Sequence, residues 1–315
     1  MAVLIYFFTA LAAVYLCLLA VSELRIAGSI FGEGTGKIKT NNSKTDFGSE
    51  NSLITKNGEN PLVIAHRGGA GLKPENTMTA FQNAARLGVD LIELDVRLTA
   101  DEELVVHHDA RIDRTSDGSG RIEDMKLDDL REFDFSYDFE REPPQQIPLL
   151  SDVLEEFPDT ILIVEIKDKG ETGKRAAEVL SDLVNSFEAG ERVIAGSFQD
   201  EVLTHYHRVR SDRVHRSAAR VEFAAFFILT LLKLEGLFWR DFSAVQIPTN
   251  FRGIDLRRKT FIERANKYGT AVHYWTVNNP EEMMHLKKLK ADGIITDRPD
   301  ILLDIYEKEI DEAVK

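Results

Sequence analysis

From Pro61 onward, short apolar runs alternate with longer amphipathic runs, and this alternation constrains the fold more than any other feature of the sequence. The apolar runs have the length of buried strands, and most of the segments between them have helical periodicity. Strands that alternate with helices form a parallel sheet. About eight such units over roughly 245 residues predict a (β/α)8 TIM barrel, whose typical length is about 250 residues. A doubly wound open sheet is the alternative. The predicted strands lie near 62–66, 89–96, 103–108, 160–166, 192–197, 213–218, 243–248, 271–277 and 292–296.

The amino-terminal residues 2–22 carry no charge and are mostly apolar. A helix of this length spans roughly 30 Å, the thickness of a hydrocarbon core. We therefore predict a transmembrane helix over residues 1–23 and a single-pass, membrane-anchored protein. A signal peptide is the alternative and would make the protein secreted, although no basic residue precedes the apolar run. The basic residues that follow favour a cytoplasmic carboxy-terminal side only mildly, so the side of the membrane stays open.

The rest of the chain divides by composition. Residues 24–60 are rich in small and polar residues and are expected to form a flexible linker. The barrel is predicted over 61–305, with a short tail over 306–315. A net charge of −14 excludes nucleic acid as a main partner. The single cysteine, Cys17, excludes an intramolecular disulfide and a cysteine-ligated zinc site.

One connection is too short for a parallel crossover. Only a few polar residues separate the strand that ends at Val96 from the strand that begins near Leu104, so these two strands are expected to form a hairpin. Folding it back would bring residues 107 and 108 alongside 93 and 94, within a residue or two of register. Residues 109–148 then form a long insertion, which is expected to act as a cap on the neighbouring site.

Charged side chains follow or end the predicted strands. His66 and Arg67 come directly after the first strand, where they are placed for chemistry. Glu93 and Asp95 share one face of a mostly buried strand, because strand side chains alternate. Glu165 and Lys167 occupy a similar position on a later strand. Buried carboxylates that repel each other require a cation, and three oxygen donors without cysteine indicate Mg²⁺ or Ca²⁺ rather than zinc.

The second run of the hairpin ends in two adjacent histidines. His107 and His108 face opposite sides, so at most one of them is expected to enter the site. A structural role in the protein interior is open for the other.

Several short motifs occur in order along the chain, and together they resemble those of the glycerophosphodiester phosphodiesterases over nearly all of residues 62–300. The resemblance implies a (β/α)8 barrel like that of phosphatidylinositol-specific phospholipase C, in agreement with the alternation. The motifs are Ala65-His66-Arg67-Gly68, Pro74-Glu75-Asn76-Thr77, Glu93-Leu94-Asp95-Val96, His107-His108-Asp109, Glu165-Ile166-Lys167, Trp275-Thr276-Val277-Asn278 and Asp292-Gly293-Ile294-Ile295-Thr296-Asp297-Arg298-Pro299.

The resemblance also implies roles for individual residues and metal-dependent hydrolysis of glycerophosphodiesters to sn-glycerol 3-phosphate and an alcohol. By resemblance, three carboxylates bind the divalent cation and two histidines form the acid/base pair. Five further residues contact the phosphate, position the substrate or wall its pocket. The metal ligands are Glu93, Asp95 and Glu165; the histidines are His66 and His108; the other five are Arg67, Lys167, Glu75, Asn76 and Trp275. Every catalytic position of the family pattern is filled, which argues against a pseudoenzyme.

A second apolar stretch, residues 223–240, bears on the substrate. It is too short before Lys233 to span a bilayer, and it is expected either to be a buried barrel helix or to dip into a membrane interface with Trp239 and Arg240 at headgroup level. The second possibility makes a lysophospholipid a candidate substrate beside water-soluble diesters. Two further alternatives are a metal-free lyase like phosphatidylinositol-specific phospholipase C and a non-catalytic, membrane-tethered binding module.

Overall fold

The computed structural model describes residues 11–23, 60–136, 139, 142–211, 214–238 and 242–314. The predicted linker over 24–60 lies almost wholly outside the described residues, as do Trp239 and Arg240. The elements in chain order are α1 (residues 11–23), β1 (Leu62–Ala65), α2 (Met78–Leu87), β2 (Leu91–Leu98), β3 (Leu104–Val106), α3 (Leu127–Leu130), α4 (Leu150–Glu156), β4 (Ile161–Ile166), α5 (Gly170–Ser186), β5 (Val193–Gly196), α6 (Asp200–Val209), β6 (His215–Arg216), α7 (Arg220–Leu231), β7 (Ala244–Pro248), β8 (Asn250–Phe251), β9 (Ile254–Asp255), α8 (Lys259–Lys267), β10 (Ala271–Trp275), α9 (Pro280–Lys288), β11 (Gly293–Thr296) and α10 (Pro299–Val314).

The parallel strands form a nearly closed barrel. Their order is β6-β5-β4-β2-β1-β11-β10-β7, so the first and last strands of the chain are neighbours. The two ends of this order meet at an isolated bridge between Ser217 and Ala244, where the Ala218 amide donates to the Ala244 carbonyl at 2.9 Å. The predicted eight-stranded barrel is confirmed, and the open doubly wound sheet is excluded.

The strands read as continuous apolar runs because both of their faces are buried. In β1, Leu62 and Ile64 pack in one cluster with Leu91, Ile163 and other residues of neighbouring strands. The alternate residues of the strands pack in two other clusters, together with side chains of the surrounding helices. This double burial leaves polar side chains to the carboxyl ends of the strands, which is where barrel enzymes carry their active sites.

Helix α2 begins at a side-chain cap, and the predicted hairpin is confirmed. The Thr77 side chain caps α2 by accepting from the Ala80 amide at 3.3 Å. Strands β2 and β3 pair antiparallel with Val96 opposite Val106, and the His107 amide donates to the Asp95 carbonyl at 2.9 Å. The hairpin therefore returns the histidines to the carboxylate strand within the predicted register.

The insertion over 109–148 has a small apolar core of its own. Ile112, Ile122, Leu130 and Ile147 are buried in it together with Val105 of β3. The segment is therefore a packed subdomain fixed to the hairpin, rather than a loose loop.

The two ends of the described chain are helical. Helix α10 extends through Val314, so the predicted tail boundary at 306 falls inside it, and the Tyr306 hydroxyl donates to the Pro61 carbonyl at 3.0 Å. Helix α1 covers part of the predicted transmembrane segment, of which residues 1–10 lie outside the described residues. Among the described helices, none is both long enough and apolar enough to cross a membrane.

Candidate active site

The predicted site residues converge at the carboxyl ends of the first parallel strands. Seven of the ten line the floor or wall of a cavity of about 760 Å³, whose walls come from α7, the β8–β9 hairpin and the ends of later strands. Asp95, Asn76 and Glu75 lie directly behind this floor and contact residues that form it. The predicted residues on the floor and wall are His66, Arg67, Glu93, His108, Glu165, Lys167 and Trp275.

Three carboxylates form a compact cluster, with Glu93 and Glu165 on this floor and Asp95 directly behind it. Asp95 lies opposite Glu165 in the β2–β4 register, and Glu93 shares the Asp95 face. Each of the three residues offers one oxygen, and these oxygens lie within 4.8 Å of one another. Glu93 and Asp95 are buried, and Glu165 is half-buried. The prediction that Glu93 and Asp95 share one face of a buried strand is confirmed.

The donor set fits a hard divalent cation. Asp95 Oδ1 and Glu165 Oε1 are buried, and Lys167 Nζ lies 3.0 Å and 2.8 Å from them; among the described residues they have no other hydrogen-bond partner. Lys167 and Arg67 offset only part of the charge of three clustered carboxylates, because Arg67 also pairs with Glu75. Oxygen ligands in this number are typical of Mg²⁺ and Ca²⁺ sites, which take carboxylates together with water or substrate oxygens.

Arg67 is held over the carboxylates by backbone and side-chain contacts. Its amide donates to Glu93 Oε2 at 2.9 Å, its Nη1 donates to Glu75 Oε1 at 2.8 Å, and its Nε lies 3.2 Å from Asp95 Oδ2. Its backbone is left-handed, with φ of 51°, a conformation that is strained for a residue with a side chain. Gly68 follows with φ of 81°, where a Cβ would lie 2.8 Å from the Ala80 side chain. The turn therefore requires glycine next to a strained, anchored arginine.

Asn76 holds the central carboxylate in place. Its side-chain amide donates to Asp95 Oδ2 at 2.9 Å, and its side-chain oxygen accepts from the Asp95 amide at 3.3 Å. Asn76 itself has a left-handed backbone with φ of 58°. This residue therefore fixes the orientation of Asp95 without lining the cavity.

His66 is oriented by a residue from the far end of the chain. Its Nδ1 lies 2.6 Å from Asp297 Oδ1, and Asp297 Oδ2 accepts from the Asn278 side chain at 2.7 Å. Because the carboxylate can only accept, Nδ1 carries the proton and Nε2 faces the carboxylate cluster, 3.9 Å from Glu93 Oε2. Asp297 belongs to one of the sequence motifs, but its pairing with His66 was not predicted. The pairing follows from β1 and β11 being neighbours in the barrel.

His108 is oriented through the insertion. Its Nδ1 lies 2.7 Å from Asp109 Oδ1, and Arg114 Nε donates to Asp109 Oδ2 at 2.6 Å. The same guanidinium donates to both Glu75 oxygens, at 2.7 and 2.9 Å. Asp109 and Arg114 therefore connect the surroundings of His108 to those of Arg67. Sequence reasoning missed this link, and an acidic residue directly after the histidine was its only available signal.

The surroundings of the site shift the pKa values of its titrating groups in different directions. Burial alone lowers the pKa of His66, but the Glu93 and Asp297 carboxylates outweigh it and the pKa is raised. Burial lowers the pKa of His108, and Lys167 and Arg67 add to this effect against the Asp95 carboxylate. Burial and the Asp95 carboxylate raise the pKa of Glu93 to about 7. The ionised form of Glu93 is therefore electrostatically unfavourable without a bound cation, whereas for Asp95 the effect of burial is outweighed by Lys167 and Arg67 and the pKa is lowered.

His107 turns away from the cavity, as the alternation of side chains predicts. It is buried, its Nδ1 lies 2.9 Å from the Asp109 carbonyl, and its Nε2 lies 2.8 Å from the Thr115 hydroxyl. The carbonyl must accept, so Nδ1 carries the proton and Nε2 accepts from the hydroxyl. Burial lowers the pKa of His107 to about 4, so the folded ring is neutral at physiological pH.

Acid is therefore expected to destabilise the fold through His107. Between about pH 6.5 and pH 4, the unfolded ring takes up a proton and the folded ring does not, which removes stability at about 1.4 kcal/mol per pH unit. Denaturant titration of the wild type and His107→Gln across this range measures the effect. The free energy of unfolding of the wild type should fall towards that of His107→Gln as the pH falls. A difference in this free energy that stays constant across the range would contradict a neutral buried ring.

Comparison with known proteins agrees with this geometry. The sequence model of the glycerophosphoryl diester phosphodiesterase family matches residues 66–301. The chain belongs to this family. The chain is 34% identical over 250 residues to a glycerophosphodiester phosphodiesterase of Caldanaerobacter subterraneus, covering 78% of this chain and 98% of the relative. The prediction that the chain is a glycerophosphodiester phosphodiesterase is confirmed.

Two further relatives match over most of their own length. This phosphodiesterase is 28% identical over 272 residues to a lysophospholipase D of Rattus norvegicus, covering 75% of this chain and 83% of the relative. It matches the structure of an Oleispira antarctica phosphodiesterase in complex with its product sn-glycerol 3-phosphate, with a TM-score of 0.64 at 21% identity. That match covers 78% of this phosphodiesterase and 97% of the other chain, and it confirms the fold.

Proposed function

We propose that the enzyme hydrolyses glycerophosphodiesters to sn-glycerol 3-phosphate and an alcohol, with His66 and His108 as the acid/base pair. The observation that carries this proposal is that both rings and the carboxylate cluster lie at the floor of one cavity. Each ring has its Nδ1 bound to a carboxylate, through Asp297 and Asp109 respectively, so each ring is oriented by a carboxylate partner.

The proposed cofactor is one Mg²⁺ or Ca²⁺ ion held by Glu93, Asp95 and Glu165. When bound, such an ion would polarise a phosphoryl oxygen and offset the negative charge that develops during displacement. Arg67 and Lys167 flank the same carboxylates, and their charges would bind the phosphoryl oxygens of the diester. The three clustered carboxylates argue against the metal-free lyase, whose chemistry does not require them.

The two histidines divide the proton transfers. One ring removes a proton from the nucleophile, which is either water or the glycerol 2-hydroxyl. A new P–O bond forms as the bond to the leaving alcohol breaks, and the other ring protonates that alcohol. If the 2-hydroxyl attacks, the product is a cyclic phosphate, and a water molecule must then open it with the histidine roles reversed. Both routes give the same products.

Direct hydrolysis assays test the proposal. The full-length protein is offered glycerophosphocholine and glycerophosphoethanolamine, each with Mg²⁺, Ca²⁺ or a chelator. Release of sn-glycerol 3-phosphate that requires a divalent cation is expected, and the more active cation is identified by the same assay. The absence of turnover under every condition would favour the binding module instead.

A lysophospholipid is a second candidate substrate, hydrolysed on the headgroup side as by a lysophospholipase D. The supporting observation is the apolar wall that rises from the catalytic floor. Trp275 packs edge-to-face on Phe198 with ring centroids 5.5 Å apart, and Phe223 and Phe227 of α7 line the same cavity. A water-soluble headgroup does not require so much apolar surface, whereas an acyl chain does. Lysophospholipid added to the same assays separates the two substrates.

We propose that residues 2–22 attach the enzyme to a membrane as a single-pass anchor. The support is the uncharged run itself, whose length in a helix matches the hydrocarbon core. Cleavage of this segment would instead give a secreted enzyme. The mass of the mature protein distinguishes the two, and protease accessibility of the barrel in sealed vesicles reports the side of the membrane.

A further inference from the structure

The barrel presents an exposed apolar surface beside the cavity, which we call the rim face. On α7, Val221 and Ile228 are 68% and 57% exposed, and Leu231 and Leu232 at its end are each 47% exposed. The β8–β9 hairpin adds Phe251 and Ile254, which are 55% and 51% exposed. Helix α7 is apolar on almost all of its sides, but only the side that carries Phe226 is fully packed. The rim face therefore exposes apolar side chains that the packing of the barrel does not bury.

Helix α1 is seated against the end of this face. The Tyr15 hydroxyl donates to the Leu232 carbonyl at 2.9 Å, and the Gly236 amide donates to the Ser22 hydroxyl at 2.9 Å. A Cβ at position 236 would overlap the Ser22 carbonyl, so the approach requires glycine. Glu23 adds bonds to the Arg264 and Lys267 side chains, at 2.9 and 2.6 Å. Helix α1, the described part of the amino-terminal segment, is therefore fixed against the end of the rim face.

Exposed apolar side chains continue from the rim face onto α1. Leu16 is 61% exposed, and Leu11 and Val14 are each more than half exposed. Basic side chains lie beside this surface in a protein whose net charge is −14: Arg220 at the start of α7, which is 3.9 Å from Asp200, Lys233 at its end and Arg252 at the hairpin tip are all exposed. An apolar surface with basic residues at its margin is the pattern of segments that insert between lipid headgroups.

We infer that the rim face docks on the surface of a lipid bilayer and places the mouth of the cavity against it. The inference rests on the proposed function, since it gives the enzyme access to a single-chain lipid diester. Ile228, Leu231, Phe251 and Ile254 are both exposed and part of the cavity lining, so the apolar wall of the cavity continues into the rim face without a polar break at these side chains. A lipid could extend its chain along this wall while its phosphodiester reaches His66 and His108.

The docking is tested with a probe whose signal is independent of activity. In the full-length protein carrying Cys17→Ser, Val221→Cys is labelled with an environment-sensitive fluorophore and mixed with phosphatidylcholine vesicles, with and without anionic lipid. Leu87→Cys is the matched control, because it is 37% exposed at the carboxyl end of α2, on the opposite end of the barrel. We expect a blue shift and quenching by spin-labelled lipid at position 221 and neither at position 87. If the probe at position 221 stays in water while the protein is bound to vesicles, the inference is overturned and the rim face is assigned to another partner.

A second measurement connects the docking to catalysis. Val221→Glu combined with Leu232→Glu changes exposed side chains that do not line the cavity. Turnover of vesicle-embedded lysophospholipid should fall roughly tenfold, which corresponds to about 1.4 kcal/mol, while turnover of soluble glycerophosphocholine is unchanged. Leu87→Glu should alter neither rate. If the wild type does not hydrolyse lysophospholipid at all, the second candidate substrate fails, and the probe at 221 still decides the docking.

Discussion

Replacing either His66 or His108 by alanine is expected to lower the turnover of glycerophosphodiesters by roughly 10²–10⁴-fold, the usual contribution of a positioned general acid or base. Each ring lines the cavity and is oriented by its own carboxylate, so neither can substitute for the other. The KM for a soluble diester should change much less than kcat, because Arg67 and Lys167 remain to bind the phosphate. Steady-state kinetics at saturating divalent cation measure both constants.

His285→Ala is the matched control, since this histidine is exposed on α9 away from the cavity, and its activity should equal that of the wild type. Asp297→Asn is the informative companion. Asp297 accepts from both His66 and Asn278, whereas an amide has only one acceptor atom, so the variant must lose one of the two bonds. We expect a smaller loss of kcat than for His66→Ala, because the ring is retained. Unchanged activity of both histidine variants would refute the assignment of the acid/base pair.

The parts of the site that the sequence predicted are those governed by strand periodicity. Alternation places Glu93 and Asp95 on one face and sends His107 and His108 to opposite sides. The short turn after β2 forces a hairpin and therefore returns His108 to the carboxylates. These conclusions require only local geometry and a parallel sheet.

The parts that the sequence did not predict depend on contacts between distant segments. Asp297 lies 231 residues from His66 and reaches it only because the barrel brings β11 beside β1. Arg114 reaches Glu75 through an insertion whose path has no periodic signal. The two-residue strands β8 and β9 are too short to be recognised from composition, although they supply part of the cavity wall. A family resemblance could name conserved motifs, but it could not supply these pairings.

The metal site gives the last expected result, a variant that loses activity while its metal-free form gains stability. Glu93→Gln keeps an oxygen for the Arg67 amide and removes one charge from the carboxylate cluster. Because the folded pKa of Glu93 is raised to about 7, its ionisation opposes folding once the pH exceeds its ordinary value near 4.5, and the full cost is present above pH 7. At pH 8 in chelator, the melting temperature of the variant should therefore exceed that of the wild type. The expected difference is roughly 2–4 °C for each kcal/mol by which the substitution raises the free energy of unfolding.

Addition of the activating cation should reverse this order. A ligand that binds only the folded state raises the melting temperature by mass action, so the wild type should gain stability with Mg²⁺ or Ca²⁺ and the variant should gain little. With one of three carboxylates gone, turnover should fall roughly 10²-fold or more, as expected when a preorganised electrostatic group is lost. Glu155→Gln, an exposed change on α4, should leave melting and activity unaffected. The negative charge that makes the empty cluster unfavourable is the same charge that binds the cation. If the cation raises the melting temperature equally in the wild type and Glu93→Gln, the ion therefore binds elsewhere.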